Sequence, residues 1–343
     1  MPNPTTNILV ICGPTASGKT SLALSVASCL RSEIRDLKSP SVNILSADSR
    51  QIYKGLDIVT GKDIPADLPP NISLLGLDLV EQNQAYNLAD FVSYSQKIIQ
   101  SSIKENVPLI IVGGTGLYLK AITSDLLSVH VPPNQSLRFD LEKLDLPSLQ
   151  SRLFALNHQK FESLNNSDKN NPRRLIRAIE IASSVTTPVI TTNPPVITTC
   201  PSGRRGEAWQ SIKMTQPHFQ WIGLKPDRET LKLSIRRRVL DRLDSGAIKE
   251  VENLIVKYPD LHLPIYTSLG VKQILQFLHQ EISREELIER WTLSEIDYGR
   301  RQMVWFKKQS GIVWYDKSTV DSHLITKLAE IYKQYDQKET HRF

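Results

Sequence analysis

The sequence predicts an α/β protein: a mostly parallel sheet with helices on both faces, interrupted by a helical insertion. Three observations lead there. Short β-branched apolar runs alternate with stretches of helical apolar spacing, the first such run ends in a Gly-rich loop, and strand character vanishes from about residue 125 until about residue 216. Strands that are apolar along their whole length suit a parallel sheet buried on both faces.

The elements follow in order. "NILVICG" is a short apolar strand, "GPTASGKT" (Gly13 to Thr20) a Gly-rich loop, and "SLALSVASCL" has the spacing of a helix. "VNILSAD" and "ISLLGLDLV" read as further strands, "LADFVSYSQKIIQSSI" as a helix, and "PLIIVGGTG" as a fully buried strand. Ligands of such sheets sit at the carboxyl ends of the strands. Three polar stretches fall there: "GPTASGKT", "ADSRQIYKG" and "GGTGLY". Beyond them, "VPPNQSLRFDLEKLDLPSLQSRLFALN" and "NNPRRLIRAIEIASS" read as helices with no strand between. A Thr-, Pro- and Asn-rich stretch follows, longest over 186–206, with the composition of a loop. Strand character returns at "HFQWIGLKP". The expected organisation is a catalytic core of residues 1–125 and 216–343 and a helical insertion of residues 126–215. From Asp227 the chain is mainly helical, "SREELIERW" opens with a capping box of Ser283 and Glu286, and "GIVWYD" reads as an edge strand. No internal repeat is present.

The chain has 343 residues, room for one large α/β domain and a smaller companion. A net charge of +6 and a pI near 9.1 lean mildly towards a polyanionic partner. Cys12, Cys29 and Cys200 are far apart and form no C-x-x-C pair, which argues against a zinc site or a disulfide framework. The start lacks a basic flank and a small-residue cleavage signal, and no apolar run approaches membrane-spanning length. A cytoplasmic, membrane-free, monomeric protein is expected.

The loop Gly13, Pro14, Thr15, Ala16, Ser17, Gly18, Lys19, Thr20 matches G-x-x-x-x-G-K-[ST] between a strand and a helix. Its backbone N–H groups turn inward, the helix N-terminus adds positive potential, Lys19 reaches a phosphate and the Thr20 hydroxyl suits Mg²⁺. This specifies a diphosphate or triphosphate without naming ATP. The buried strand "PLIIVGG" ends in Gly113 and Gly114, where an ATP-hydrolysing relative usually carries a Mg²⁺-holding Asp. Asp48 follows the second strand at the mouth of the same cleft, either as a base for an incoming nucleophile or as the head of an Asx-turn. Thr115 follows a double glycine expected to let the backbone approach a ligand; its hydroxyl serves a leaving-group oxygen or caps the next helix. Of Arg236, Arg237 and Arg238, helical geometry is expected to turn one into the cleft. Two basic stretches suit nucleic acid. One carries Arg173, Arg174 and Arg177; in the other Arg300, Arg301, Lys307 and Lys308 interleave with Tyr298, Trp305 and Phe306, aromatics equally at home in a core.

Together "GPTASGKT", "SADSRQIYKGLDIVTGK", "GGTGLYLKAI", "NNPRRLIRAIE", "SGAIKEV" and "RRQMVWFK" resemble the tRNA dimethylallyltransferases, in that family's order and over most of the chain. The resemblance implies transfer of a dimethylallyl group from dimethylallyl diphosphate to the exocyclic amine of the adenosine 3′ of the anticodon, with the loop holding the donor's diphosphate. It implies Asp48 as base, Thr115 at the oxygen bridging prenyl group and diphosphate, and Arg238 as the donor-site member of its run. Lys19, and Mg²⁺ near Thr20, are implied at the diphosphate. Asp48, Ser49, Arg50 and Gln51 match the contact with the target nucleotide. Arg138, Arg174 and Arg177 match the domain that clasps the anticodon stem-loop, and Thr115, Arg173, Lys272, Arg300 and Arg301 complete the implied tRNA contacts. The chain departs from the family's usual pattern at Val271, Glu295 and Ile296, expected on tRNA-contact surfaces. A cytokinin-type isopentenyltransferase would share the donor but take a free adenine nucleotide, which needs no clasp. A small-molecule kinase would bind ATP and use Asp48 on a hydroxyl, and a non-catalytic RNA-binding protein would not need Asp48.

Overall fold

The computed structural model describes residues 7–33, 41–65, 67–124, 129, 131–186 and 217–337. The Thr- and Pro-rich segment from residue 187 and Cys200 lie outside the described residues. Six strands form one sheet: β1 (Asn7–Cys12), β2 (Val42–Ser46), β3 (Ile72–Leu75), β4 (Leu109–Gly113), β5 (His218–Lys225) and β6 (Ile312–Asp316). Their order is β3-β2-β4-β1-β5-β6, and every pairing is parallel. β1 and β4 are buried at every position, as central strands covered on both faces must be. "GIVWYD" takes the edge, where its residues are exposed or half-buried.

The chain divides into two compact units, Met1–Asp125 with Met214–Phe343, and Leu126–Lys213. In the first, α1 (Lys19–Glu33) leaves the Gly-rich loop, α2 (Leu88–Glu105) precedes β4 and α3 (Gly116–Thr123) follows it. One apolar cluster joins Leu22, Val26 and Leu30 of α1 to the inward side chains of β1, β2 and β4. A second gathers Ile52, Leu56 and Val59 with Val239, Val251, Val271 and Trp291 of the C-terminal helices. The sequence-predicted capping box is present: Glu286 N–H donates to Ser283 Oγ at 3.2 Å and Ser283 N–H to Glu286 Oε2 at 2.9 Å. The helix it opens runs from Arg284 to Phe306 and absorbs the whole "YGRRQMVWF" stretch.

The other unit contains α4 (Gln135–Leu141), α5 (Leu146–Leu156), α6 (His158–Glu162), α7 (Asn166–Lys169) and α8 (Pro172–Thr186). Leu141, Leu149, Leu153, Leu175 and Ile179 form its core. Glu180, 3% exposed, is the polar pin: Arg138 donates to both its oxygens at 2.7 and 2.8 Å, and Arg177 donates to one at 2.9 Å. Burial pushes the Glu180 carboxyl up, but these hydrogen bonds outweigh it and hold the group below its usual range. Leu153→Ala leaves a cavity at a fully buried position. It is expected to cost about 2–5 kcal/mol, read as earlier loss of this unit's helical signal on heating.

Candidate active site

The carboxyl ends of the strands carry the polar stretches to one edge of the sheet, and a cavity of about 750 Å³ opens there, within the ordinary size of a small-ligand site. Its wall includes Thr15, Ala16, Gly18, Lys19 and Thr20 of the loop, Asp48 to Gln51 after β2, and Gly113 at the end of β4. The helices α9 (Arg228–Asp244), α10 (Ala247–Lys257), α11 (Val271–Leu278) and α12 (Arg284–Phe306) follow β5. α9 and α12 supply a further part of the wall, joined by Val59, Thr60, Asp63, Pro65, Thr267 to Leu269 and Lys317.

In the loop, Ala16 and Gly18 take left-handed conformations, φ 58° and 86°. Lys19 Nζ donates to Pro14 O at 3.1 Å. Burial, and then the Arg238 charge, push the Lys19 ammonium down to about 8, against the pull of Asp48 and Asp63. A diphosphate seated in the loop would oppose that shift and hold the ammonium charged to higher pH. Thr20, whose hydroxyl makes no hydrogen bond among the described residues, lines the cavity together with Asp48 and Asp63. No cluster of three or more His, Cys, Asp or Glu among the described residues could hold a metal by itself. A Mg²⁺ coordinated chiefly by substrate phosphates and water, with one hydroxyl or carboxylate from protein, fits this donor set.

Asp48 heads an Asx-turn, Oδ1 accepting from Arg50 N–H at 2.8 Å, while the carboxylate still lines the cavity. Thr115 precedes α3 but makes no capping hydrogen bond; its Oγ1 accepts a long bond from Ser49 N–H at 3.4 Å, which brings the β4 turn to the β2 turn. Arg50 is tied to Pro264 O and Thr267 Oγ1, each at 2.9 Å, and Gln51 donates to Gly61 O at 2.7 Å. Arg238 donates to Gly61 O at 3.1 Å and Thr15 Oγ1 at 3.2 Å and pairs with Asp63. Gly61 is required there: its φ is 62°, and a Cβ would overlap the guanidinium groups of Arg238 and Arg242. Both Arg237 and Arg238 line the cavity, so the expectation of a single inward member of the run is corrected.

Sequence reasoning missed the support beneath the loop. Thr15 N–H donates to Gln302 Oε1 at 2.8 Å, and Gln302 Nε2 donates to Gly114 O at 2.9 Å. Gln302 thus joins the phosphate loop to the end of β4. The two glycines serve different packing: a Cβ on Gly114 would overlap Gln302 and one on Gly113 would overlap Ala47, while Gly113 also lines the cavity. Thr15 Oγ1 donates to Glu295 at 3.1 Å, and Arg242 donates to the other Glu295 oxygen at 3.0 Å, both partners of that ion pair being buried. Burial and then Arg238 depress Arg242, against the attraction of Glu295. Glu295 and Val271 are buried, which overturns their expected place on a tRNA-contact surface. The Tyr298 hydroxyl also lines the cavity, pushed up to about 12 by burial and by the Asp48 charge.

Of the remaining predicted contacts, Arg301 is exposed and also lines the cavity, while Lys272 and Arg300 are exposed outside its wall. Arg173 is exposed; Arg174 pairs with Asp168, and Arg138 and Arg177 are engaged by Glu180. Phe306 is fully buried and belongs to the core, while the half-buried Trp305 packs over Gly116. Cys12 is buried, its thiol pushed up to about 12 by burial, and takes no part in the wall.

An all-parallel sheet with a Gly-rich loop after its first strand, and a carboxylate lining the same cavity, places the chain among α/β proteins whose ligand site lies at the carboxyl ends of the strands. Comparison with known proteins makes this specific. The family model described as IPP transferase matches residues 51–309, and the chain belongs to that family. A tRNA dimethylallyltransferase of Crocosphaera subtropica is 32% identical over 94% of this chain and 97% of its own length. One from Synechocystis sp. is 33% identical over 94% and 96%. In fold, the chain is similar to a eukaryotic dimethylallyltransferase acting on tRNA, with a TM-score of 0.73 at 20% identity over 99% of this chain and 81% of that one. No helix among the described residues is long and apolar enough to cross a membrane.

Proposed function

We propose that this protein transfers a dimethylallyl group from dimethylallyl diphosphate to N6 of the adenosine following the anticodon of tRNA, releasing pyrophosphate. The observation that carries the reading is the opening of Lys19, Arg238, Asp48 and Thr115's neighbour Ser49 onto one cavity, in a chain that belongs to the IPP transferase family. The adenine amine is a weak nucleophile because its lone pair is delocalised into the ring. Asp48 accepts its proton as the N6–carbon bond forms and the carbon–oxygen bond to the diphosphate breaks, a step worth about 10²–10⁴-fold. The electrons of the broken bond pass to the leaving pyrophosphate. Lys19 and Arg238 take up that charge, and Thr115 donates to the bridging oxygen; fixed donors of this kind are worth about 3–4 kcal/mol each. A Mg²⁺ at Thr20 would neutralise further charge on the diphosphate. The target base must leave its stack to reach Asp48, so the grip on the stem-loop, assigned to Arg138, Arg173, Arg174, Arg177, Lys272, Arg300 and Arg301, pays for unstacking.

Incubation of the protein with dimethylallyl diphosphate and an unmodified anticodon stem-loop, without ATP, is expected to add the mass of one dimethylallyl group to the RNA. Turnover on AMP with none on the stem-loop would instead indicate the free-nucleotide reaction, and ADP formation would indicate a kinase. Arg238→Ala removes a charged donor from the loop and is expected to raise the donor KM about tenfold to a hundredfold. Steady-state kinetics at saturating stem-loop would check this.

A further inference from the structure

One cation in the cavity wall comes from an element that no functional motif reaches. The parallel sheet brings the residue after β6 to the same edge as the phosphate loop, and that residue is Lys317. Its backbone is fixed by a short turn. Asp316 Oδ1 accepts from Ser318 N–H at 2.9 Å and Ser318 Oγ at 2.7 Å, and Thr319 Oγ1 donates to Asp316 O at 2.8 Å. The side chain then runs to the loop: Lys317 Cε lies 3.5 Å from where a Cβ on Gly18 would stand. It lines the cavity beside Lys19 and Thr20, and its ammonium makes no ion pair or hydrogen bond among the described residues. The other loop cations are occupied, Lys19 by Pro14 O and Arg238 by Asp63 and Thr15.

We propose that Lys317 is a third diphosphate-binding cation, closing on the donor's diphosphate from the Gly18 side of the loop while Arg238 holds it from the Thr15 side. The inference rests on reading this cavity as the donor site. A lysine without a partner, carried on a rigid turn, binds an anion at the cost of its own side-chain freedom alone. It acts on substrate and product alike, because both present a diphosphate. Its signature is therefore a change in donor KM and in pyrophosphate inhibition, with kcat little altered.

The test is steady-state prenylation of the stem-loop by the full chain and by Lys317→Ala, Lys317→Arg and Lys317→Glu. Lys317→Ala is expected to raise the donor KM and the pyrophosphate inhibition constant each about tenfold, as for loss of one charged hydrogen bond. Arg should recover most of the loss and Glu should deepen it, while the stem-loop KM stays within about twofold of the unmodified protein. An unchanged donor KM in Lys317→Ala would overturn the inference. So would a rise confined to the stem-loop KM, which would assign the lysine to the RNA backbone. Absence of any prenylation by the unmodified protein would count against the donor-site reading itself.

Discussion

Asp48→Ala is expected to lower kcat by about 10²–10⁴-fold while the stem-loop still binds. Asp48 Oδ1 also accepts the Arg50 N–H that shapes the turn after β2, so alanine removes two things at once. Asp48→Asn separates them. Its amide oxygen keeps the turn hydrogen bond and its nitrogen cannot take a proton. Single-turnover prenylation, with RNA binding measured in parallel, is expected to find Asn as inactive as Ala. Normal chemistry in Asp48→Asn would remove the base from the mechanism.

Lys19→Ala is expected to lower kcat/KM for the donor by about 10²–10³-fold, as loss of one fixed donor at a charge-bearing oxygen does. The pH dependence of the unmodified protein tests the same residue. Its ammonium is lowered to about 8 in the donor-free fold. Below that pH it is charged and ready for diphosphate. Above it, donor binding must first take up a proton, so the donor KM should climb with pH and the climb should be absent in Lys19→Ala. The linkage to stability has a defined sign. Between pH 8 and the ordinary lysine value of 10.5 the unfolded chain binds more protons than the folded one. The penalty for burying this lysine is therefore fully present below pH 8 and fades as pH rises through that window.

The strands were legible because each is a contiguous apolar run, and the phosphate loop because its function needs eight consecutive residues. Side-chain juxtapositions were not. Glu295, Arg242 and Thr15 lie far apart in sequence and meet only when α12 passes beneath the loop. Gln302 stood inside a motif already singled out, yet its neighbours' charges and rings drew the functional reading. Arg177 carried a signal of a different kind, its i,i+3 relation to Glu180 being a readable sign of an ion pair within the helix. Lys317 gave no signal beyond its position just after an expected edge strand.

β1 pairs with β5 from Asn7↔His218 to Cys12↔Gly223, with the entire helical unit between them in the chain. During synthesis the middle of the sheet must wait, one side of its first strand without a neighbour, until the ribosome has delivered some two hundred further residues, roughly 10–40 s. Such distant pairings are slow to form. The protein's passage to its native state is thus set by translation and by whatever shields that bare flank meanwhile, and a nascent chain halted before β5 is the species most prone to join its own kind.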